Sequence, residues 1–170
     1  MPEPVNNTAT LQIRFEALED LQGLDAAASA QITHNGFNQA LLQLQDTGTT
    51  PVVDRVSYET YTIGGGGTVD IDLTALVSSQ TNIDGTGKKV QGLIVINPAG
   101  NNVIAIGPGA TNAYTPFGTS NEVDLYAQAS RAGVLCIFQP EGLPDISGTV
   151  KNIRITGTAT QTVKVGIWLG

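Results

Sequence analysis

Apolar positions along the chain recur with a period of two, the spacing of half-buried β-strands. Leu11, Ile13 and Phe15 alternate with Gln12, Arg14 and Glu16. Val69, Ile71 and Leu73 alternate with Asp70 and Asp72, and Val163, Val165, Ile167 and Leu169 alternate with Thr162, Lys164, Gly166 and Trp168. Residues 52–63 form a long β-branched and aromatic run, with Val52, Val56 and Tyr58 on one face and Val53, Tyr61 and Ile63 on the other. Further strands are predicted at 122–126, 134–138 and 150–156, and Ala40, Leu42 and Leu44 alternate with glutamines. Two runs break the alternation: Val90 to Ile96 and Val103 to Ile106 are apolar on both faces and belong in a sheet centre. The intervening Asn97-Pro98-Ala99-Gly100-Asn101-Asn102 is a dense turn cluster, so the two runs read as a β-hairpin at the heart of the domain. Gly64 to Gly67 and His34-Asn35-Gly36 mark further turns, and residues 107–121 form a long irregular stretch holding Tyr114 and Phe117. Between Glu16 and Ala30 the pattern fails, leaving a loop with one helical turn around Leu18, Leu21 and Leu24. About ten short strands with regular turn signals predict an all-β, two-sheet antiparallel sandwich of jelly-roll type.

Composition sharpens this picture. A chain of 170 residues suits one domain and buries roughly 70% of its unfolded surface. Its 20 glycines and 20 threonines favour turns and pleated surface over helix. The sandwich is expected to occupy residues 51–170, with 1–50 supplying an amino-terminal arm and peripheral strands. A net charge of −7 argues against nucleic acid or an anionic membrane as partner. A single cysteine rules out an intramolecular disulfide framework. Met1 to Asn7 has neither a charged nor an apolar leader segment, and no apolar run approaches membrane-spanning length, so a soluble product made in the cytoplasm is expected.

Candidate chemistry is sparse. Gly64 to Gly67 lacks the following helix and lysine of a phosphate loop and reads as a hairpin turn. Asp70, Asp72 and Asp84 lack the loop spacing of a Ca²⁺ site and read as a solvated face. His34 is the sole histidine and lies in a turn, with no nucleophile-elbow sequence anywhere to complete a triad. Cys136, inside VLCIF, reads as a small hydrophobe of a core strand. No enzyme, cofactor or metal site is expected. Trp168, on the outward side of the last strand, reads either as a cover beneath a loop or as an anchor in a subunit contact.

The stretches TVDIDLTAL (68–76), DGTGKKVQGLIVINPAGNNVIAIGPGATNAYTPFG (84–118) and EGLPDISGTVKNIRITGTATQTVKVGIWLG (141–170) resemble the β-sandwich virion structural proteins of tailed bacteriophages, of the head-decoration or minor capsid kind. That resemblance implies a non-enzymatic protein that binds and stabilises an assembled capsid. Its partners would be the major capsid protein or other virion proteins, and it would work as a homo-oligomer, with a trimer favoured. Its location would be the virion, and Trp168, Tyr114 and Phe117 would be its contact residues. The alternative is a carbohydrate-binding module of a tail appendage, with Trp168, Tyr58, Tyr61, Tyr114 and Tyr126 as aromatic platforms.

Overall fold

β-Branched residues at alternate positions, punctuated by Gly, Pro and Asn, produce strands and turns throughout the computed structural model. It describes residues 8–12, 17–20, 31–34, 41–45, 55–77, 82–139 and 141–170, and every regular element among them is a strand. In chain order these are β1 (Thr8–Gln12), β2 (Ala17–Asp20), β3 (Gln31–His34), β4 (Leu41–Gln45), β5 (Arg55–Ile63), β6 (Thr68–Asp72) and β7 (Leu76–Val77), followed by β8 (Asn82–Ile83), β9 (Val90–Asn97), β10 (Ile104–Pro108), β11 (Val123–Leu125), β12 (Gly133–Phe138), β13 (Asn152–Gly157) and β14 (Gln161–Leu169). No described helix is long and apolar enough to cross a membrane.

Eight strands build two four-stranded antiparallel sheets, ordered β5-β14-β9-β12 and β6-β13-β10-β11. Pairing is nested: β5 with β14, β6 with β13, β9 with β12, β10 with β11. First pairs with last and second with second-last, which is the winding of a jelly roll. Smaller two-stranded ladders join β1 to β4, β2 to β3 and β7 to β8.

The core lies between the two sheets and is almost wholly aliphatic. One sheet contributes Ile63, Leu93, Val95, Val163, Val165, Ile167 and Leu169, the other Ile71, Ile104, Ile106, Ile153 and Ile155, all buried. Each such side chain contributes about 1.5–3 kcal/mol through removal from water. The inward sets expected for residues 69–73 and 162–169 are borne out, with Val69 packed against the core as a partly buried member.

The hairpin expectation is corrected. Residues 90–96 and 104–106 are central strands, each flanked on both sides, but β9 and β10 sit in different sheets. Asn97 supplies the physical reason. It is fully buried, and its Nδ2 donates to the carbonyls of Asn102 and Leu125, each at 2.9 Å. Its Oδ1 accepts from Asn101 Nδ2 at 2.9 Å, and that same amide group donates to Thr162 O at 2.7 Å. The connection is thus bonded to residues of both sheets and crosses between them. Gly64 to Gly67 does likewise. Gly67 N donates to Gly64 O at 2.9 Å and Gly66 has φ +66°, but the turn carries the chain from one sheet to the other and joins no hairpin.

Two amino-terminal expectations change as well. Ala17–Asp20 is a strand paired with Gln31–His34, so Leu18 is not helical and His34 ends a strand. The expectations for Met1 to Asn7, for Leu21 to Ala30 and for Val52 and Val53 lie outside the described residues. The irregular stretch after β10 is packed by its own aromatics. Tyr114, expected at a contact, is instead fully buried, donating its hydroxyl to Pro144 O at 2.7 Å. Phe117 is half-buried against the core.

Candidate functional site

The two sheets bury similar inner faces but expose unlike outer ones. On the β6-β13-β10-β11 sheet the outward positions of β6, β13 and β11 are polar, and those of β10 are the small residues Ala105 and Gly107. Arg154 lies opposite Asp70 and binds it with both ends of the guanidinium, Nε to Oδ1 and Nη2 to Oδ2, each at 2.7 Å. Lys151 Nζ donates to Asp72 Oδ2 at 2.6 Å, while Thr74 donates from its backbone and its hydroxyl to Oδ1. Asp124 is exposed opposite Ala105.

These pairs account for the carboxylates singled out in the sequence. The Arg154 hydrogen bond holds the Asp70 carboxyl below its ordinary range against a smaller opposing effect of burial. Partial burial pushes Asp72 upward, but the bonds from Lys151 and Thr74 together leave it lowered. Asp84 is lowered by Thr86, whose hydroxyl and backbone N–H both donate to its Oδ1. Each acid is engaged separately, and among the described residues no three His, Cys, Asp or Glu side chains converge as a metal site would require.

On the β5-β14-β9-β12 sheet the outward positions of β9 and β12 are apolar, as are Val56 and Tyr58 of β5 and Trp168 of β14, while Thr60, Thr62, Thr162 and Lys164 are polar and exposed. Register places Val56, Trp168, Gly92 and Phe138 in one row across the four strands. The next row is Tyr58, Gly166, Ile94 and Cys136, and the third is Thr60, Lys164, Ile96 and Val134. Tyr58 is 57% exposed, Val134 61% and Val56 39%, while Trp168, Ile94, Ile96 and Phe138 are half-buried. With strands about 4.8 Å apart and rows about 6.8 Å apart, the part of these rows outside Thr60 and Lys164 covers roughly 330 Å². Patches of this size on a monomer commonly mark a contact surface.

Two details shape the floor of this face. A β-carbon added to Gly92 would fall inside the Trp168 indole, so the glycine gives the ring a seat directly on β9. Beside it, the β9–β14 register slips between Trp168 and Leu169, a bulge on β9 that sets Val90 rather than Gln91 opposite Leu169, with Val90 and Leu169 both in the core. Trp168 therefore lies on the outward side, as expected, and is part cover and part surface. Cys136 is corrected: it is exposed on this face at the edge strand β12, whose Leu135 and Ile137 turn inward. Partial covering raises its thiol pKa above the ordinary value, which leaves it a weak nucleophile.

Of the predicted contact residues, only Trp168 belongs to this face. Phe117 and Tyr114 sit elsewhere, at and inside the core. Tyr58, Ile94, Ile96, Val134, Cys136 and Phe138 were not predicted as a set. The sequence signal was the occurrence of two strands, VQGLIVI and VLCIF, that are apolar on both sides.

No protein-family model matches the chain, and no curated protein matches it in sequence.

Proposed function

We propose that the chain is a non-enzymatic virion structural protein, a decoration component that binds an assembled phage capsid. It works as a homo-oligomer whose partners are capsid or other virion proteins. The observation that carries this reading is the contrast between outer faces: one sheet meets water with ion pairs, the other holds a contiguous apolar surface. A stable interface takes about 800 Å² per partner, and the apolar part of this face supplies roughly two fifths of that. Jelly rolls are a recurrent capsid architecture, which agrees with the reading at the level of fold alone. The experiment is mass spectrometry of purified particles of the encoding phage, followed by rebinding of the purified chain to shells lacking it. Stoichiometric recovery in particles with saturable rebinding is expected. Absence from particles together with failure to rebind overturns it.

Tyr58 and Trp168 on one exposed face favour a second reading, a glycan-binding module of a tail appendage, since flat aromatic surfaces suit sugar rings. Under that reading the chain binds a glycan array, and Tyr58→Ala abolishes the signal. Array silence with unaltered shell binding eliminates it.

A further inference from the structure

An open sheet has two edges, and a sandwich has four, each a row of unpaired N–H and C=O groups that invites another strand. Three of the four edges here carry a feature that discourages pairing. β5 sets Glu59 among the inward positions of its edge, on the same side as Val165. β6 presents Asp70 and Asp72, both held by cations. β11 is only three residues long and contains Asp124. β12 is different. It spans six residues, GVLCIF, without a charge or a proline, and its register with β9 runs unbroken from Gly133 to Phe138. Among the described residues, its ladder bonds all go to β9.

Resting on the homo-oligomer part of the reading above, we propose that the free edge of β12 pairs antiparallel with β12 of a second copy. The result is a twofold dimer with one continuous eight-stranded sheet. An identical strand is the occupant the edge fits best. Antiparallel pairing about a twofold axis is self-complementary in hydrogen bonds, and neither strand brings a charge to repel the other. The other edges of this sandwich are poorer matches for the reasons given. The pairing also sets the two apolar faces side by side, roughly doubling the contiguous surface offered to a shell.

The side-chain alternation restricts the register. Paired residues must point to the same side of the sheet, and the twofold axis keeps both apolar faces together. Cys136 therefore pairs with the partner's Cys136, or with the partner's Val134 or the partner's Phe138 on either side of it. In each of these registers the two thiol-bearing residues lie within about 8 Å, as direct or diagonal cross-strand neighbours.

The test uses the full chain. Sedimentation equilibrium is expected to give about twice the 17.7 kDa chain mass. A short bis-maleimide is expected to join the sole cysteines into a covalent dimer in high yield. Val134→Lys, at an exposed position on the edge, is expected to lower the cross-linking yield at least tenfold with the melting temperature unchanged. Tyr58→Lys, on the same face but the opposite edge strand, is expected to remain dimeric. A monomeric or trimeric wild-type mass overturns the proposal, as does wild-type cross-linking in Val134→Lys. Dissociation of Tyr58→Lys also overturns it, because the contact would then be the face and not the edge. Each of these results is read without shells, so failure here is distinct from failure to bind a capsid.

Discussion

Gly92→Ala is the most informative single change, because one added methyl group acts on the only tryptophan of the chain. The new β-carbon meets the indole of Trp168 near its ring fusion, where a flexible tip is not available to yield. The ring must lift from β9 or the strand must shift. A tryptophan side chain buries about 150–250 Å² when covered. Losing roughly 100 Å² of that cover costs about 2.5 kcal/mol at 25 cal/mol per Å². Restricting the unfolded chain by replacing glycine returns up to about 1 kcal/mol. The net loss is about 1.5–2.5 kcal/mol, which lowers the melting temperature by roughly 4–8 °C in a protein of this size. Calorimetry measures that shift, and the emission of the lone tryptophan should move to longer wavelength as the ring meets water. A double-mutant cycle isolates the cause: with Trp168→Ala in place, Gly92→Ala should be neutral or mildly stabilising. An unchanged emission maximum, or an equal cost in both backgrounds, would refute the seat that Gly92 provides.

Other consequences can be measured by standard means. Ile155→Ala in the aliphatic centre should lower the unfolding free energy by about 2–5 kcal/mol, read from the urea midpoint at constant slope. Asn97→Ala removes the side-chain donor to the carbonyls of Asn102 and Leu125, of which the first keeps a longer bond from Gln161 Nε2 at 3.4 Å, and should cost about 1–3 kcal/mol by the same measurement. The Asp70 carboxyl is held low by Arg154, so its stabilisation is present above the unfolded pKa of about 3.9 and is lost as pH falls through the lower folded value. Arg154→Gln should accordingly flatten the stability profile below about pH 4. The amplitude should stay under about 1 kcal/mol, since the two side chains are 36% and 25% exposed. A profile parallel to wild type would mean the bidentate pair contributes nothing in solution.

How far the sequence reaches is clearest at particular residues. Val163, Val165, Ile167 and Leu169 were legible as an inward set because alternation is a local property of an extended chain. The two-layer architecture followed from the number of short strands. Pairing was less legible, and the reason is topological. In a jelly roll the neighbours in sequence are mostly in opposite sheets, so Asn97 to Asn102 looked like a hairpin turn while its hydrogen bonds run to Leu125 and Thr162, far along the chain. The apolar face was hidden for a related cause. Ile94, Cys136 and Tyr58 become neighbours only when β9, β12 and β5 are set in one sheet around β14. Tyr114 shows the limit of residue type as a guide, since an aromatic in a long loop serves equally as a contact or as the plug that holds the loop to the core.

The central claim is that the outer face of the β5-β14-β9-β12 sheet binds an assembled shell. Co-sedimentation of the purified chain with assembled phage shells tests it, comparing wild type, Tyr58→Lys on that face and Asp124→Lys on the polar one. Saturable binding by wild type and Asp124→Lys, with at least a tenfold weaker affinity for Tyr58→Lys, is the predicted result. Equal binding by all three proteins, or none by wild type, would contradict it.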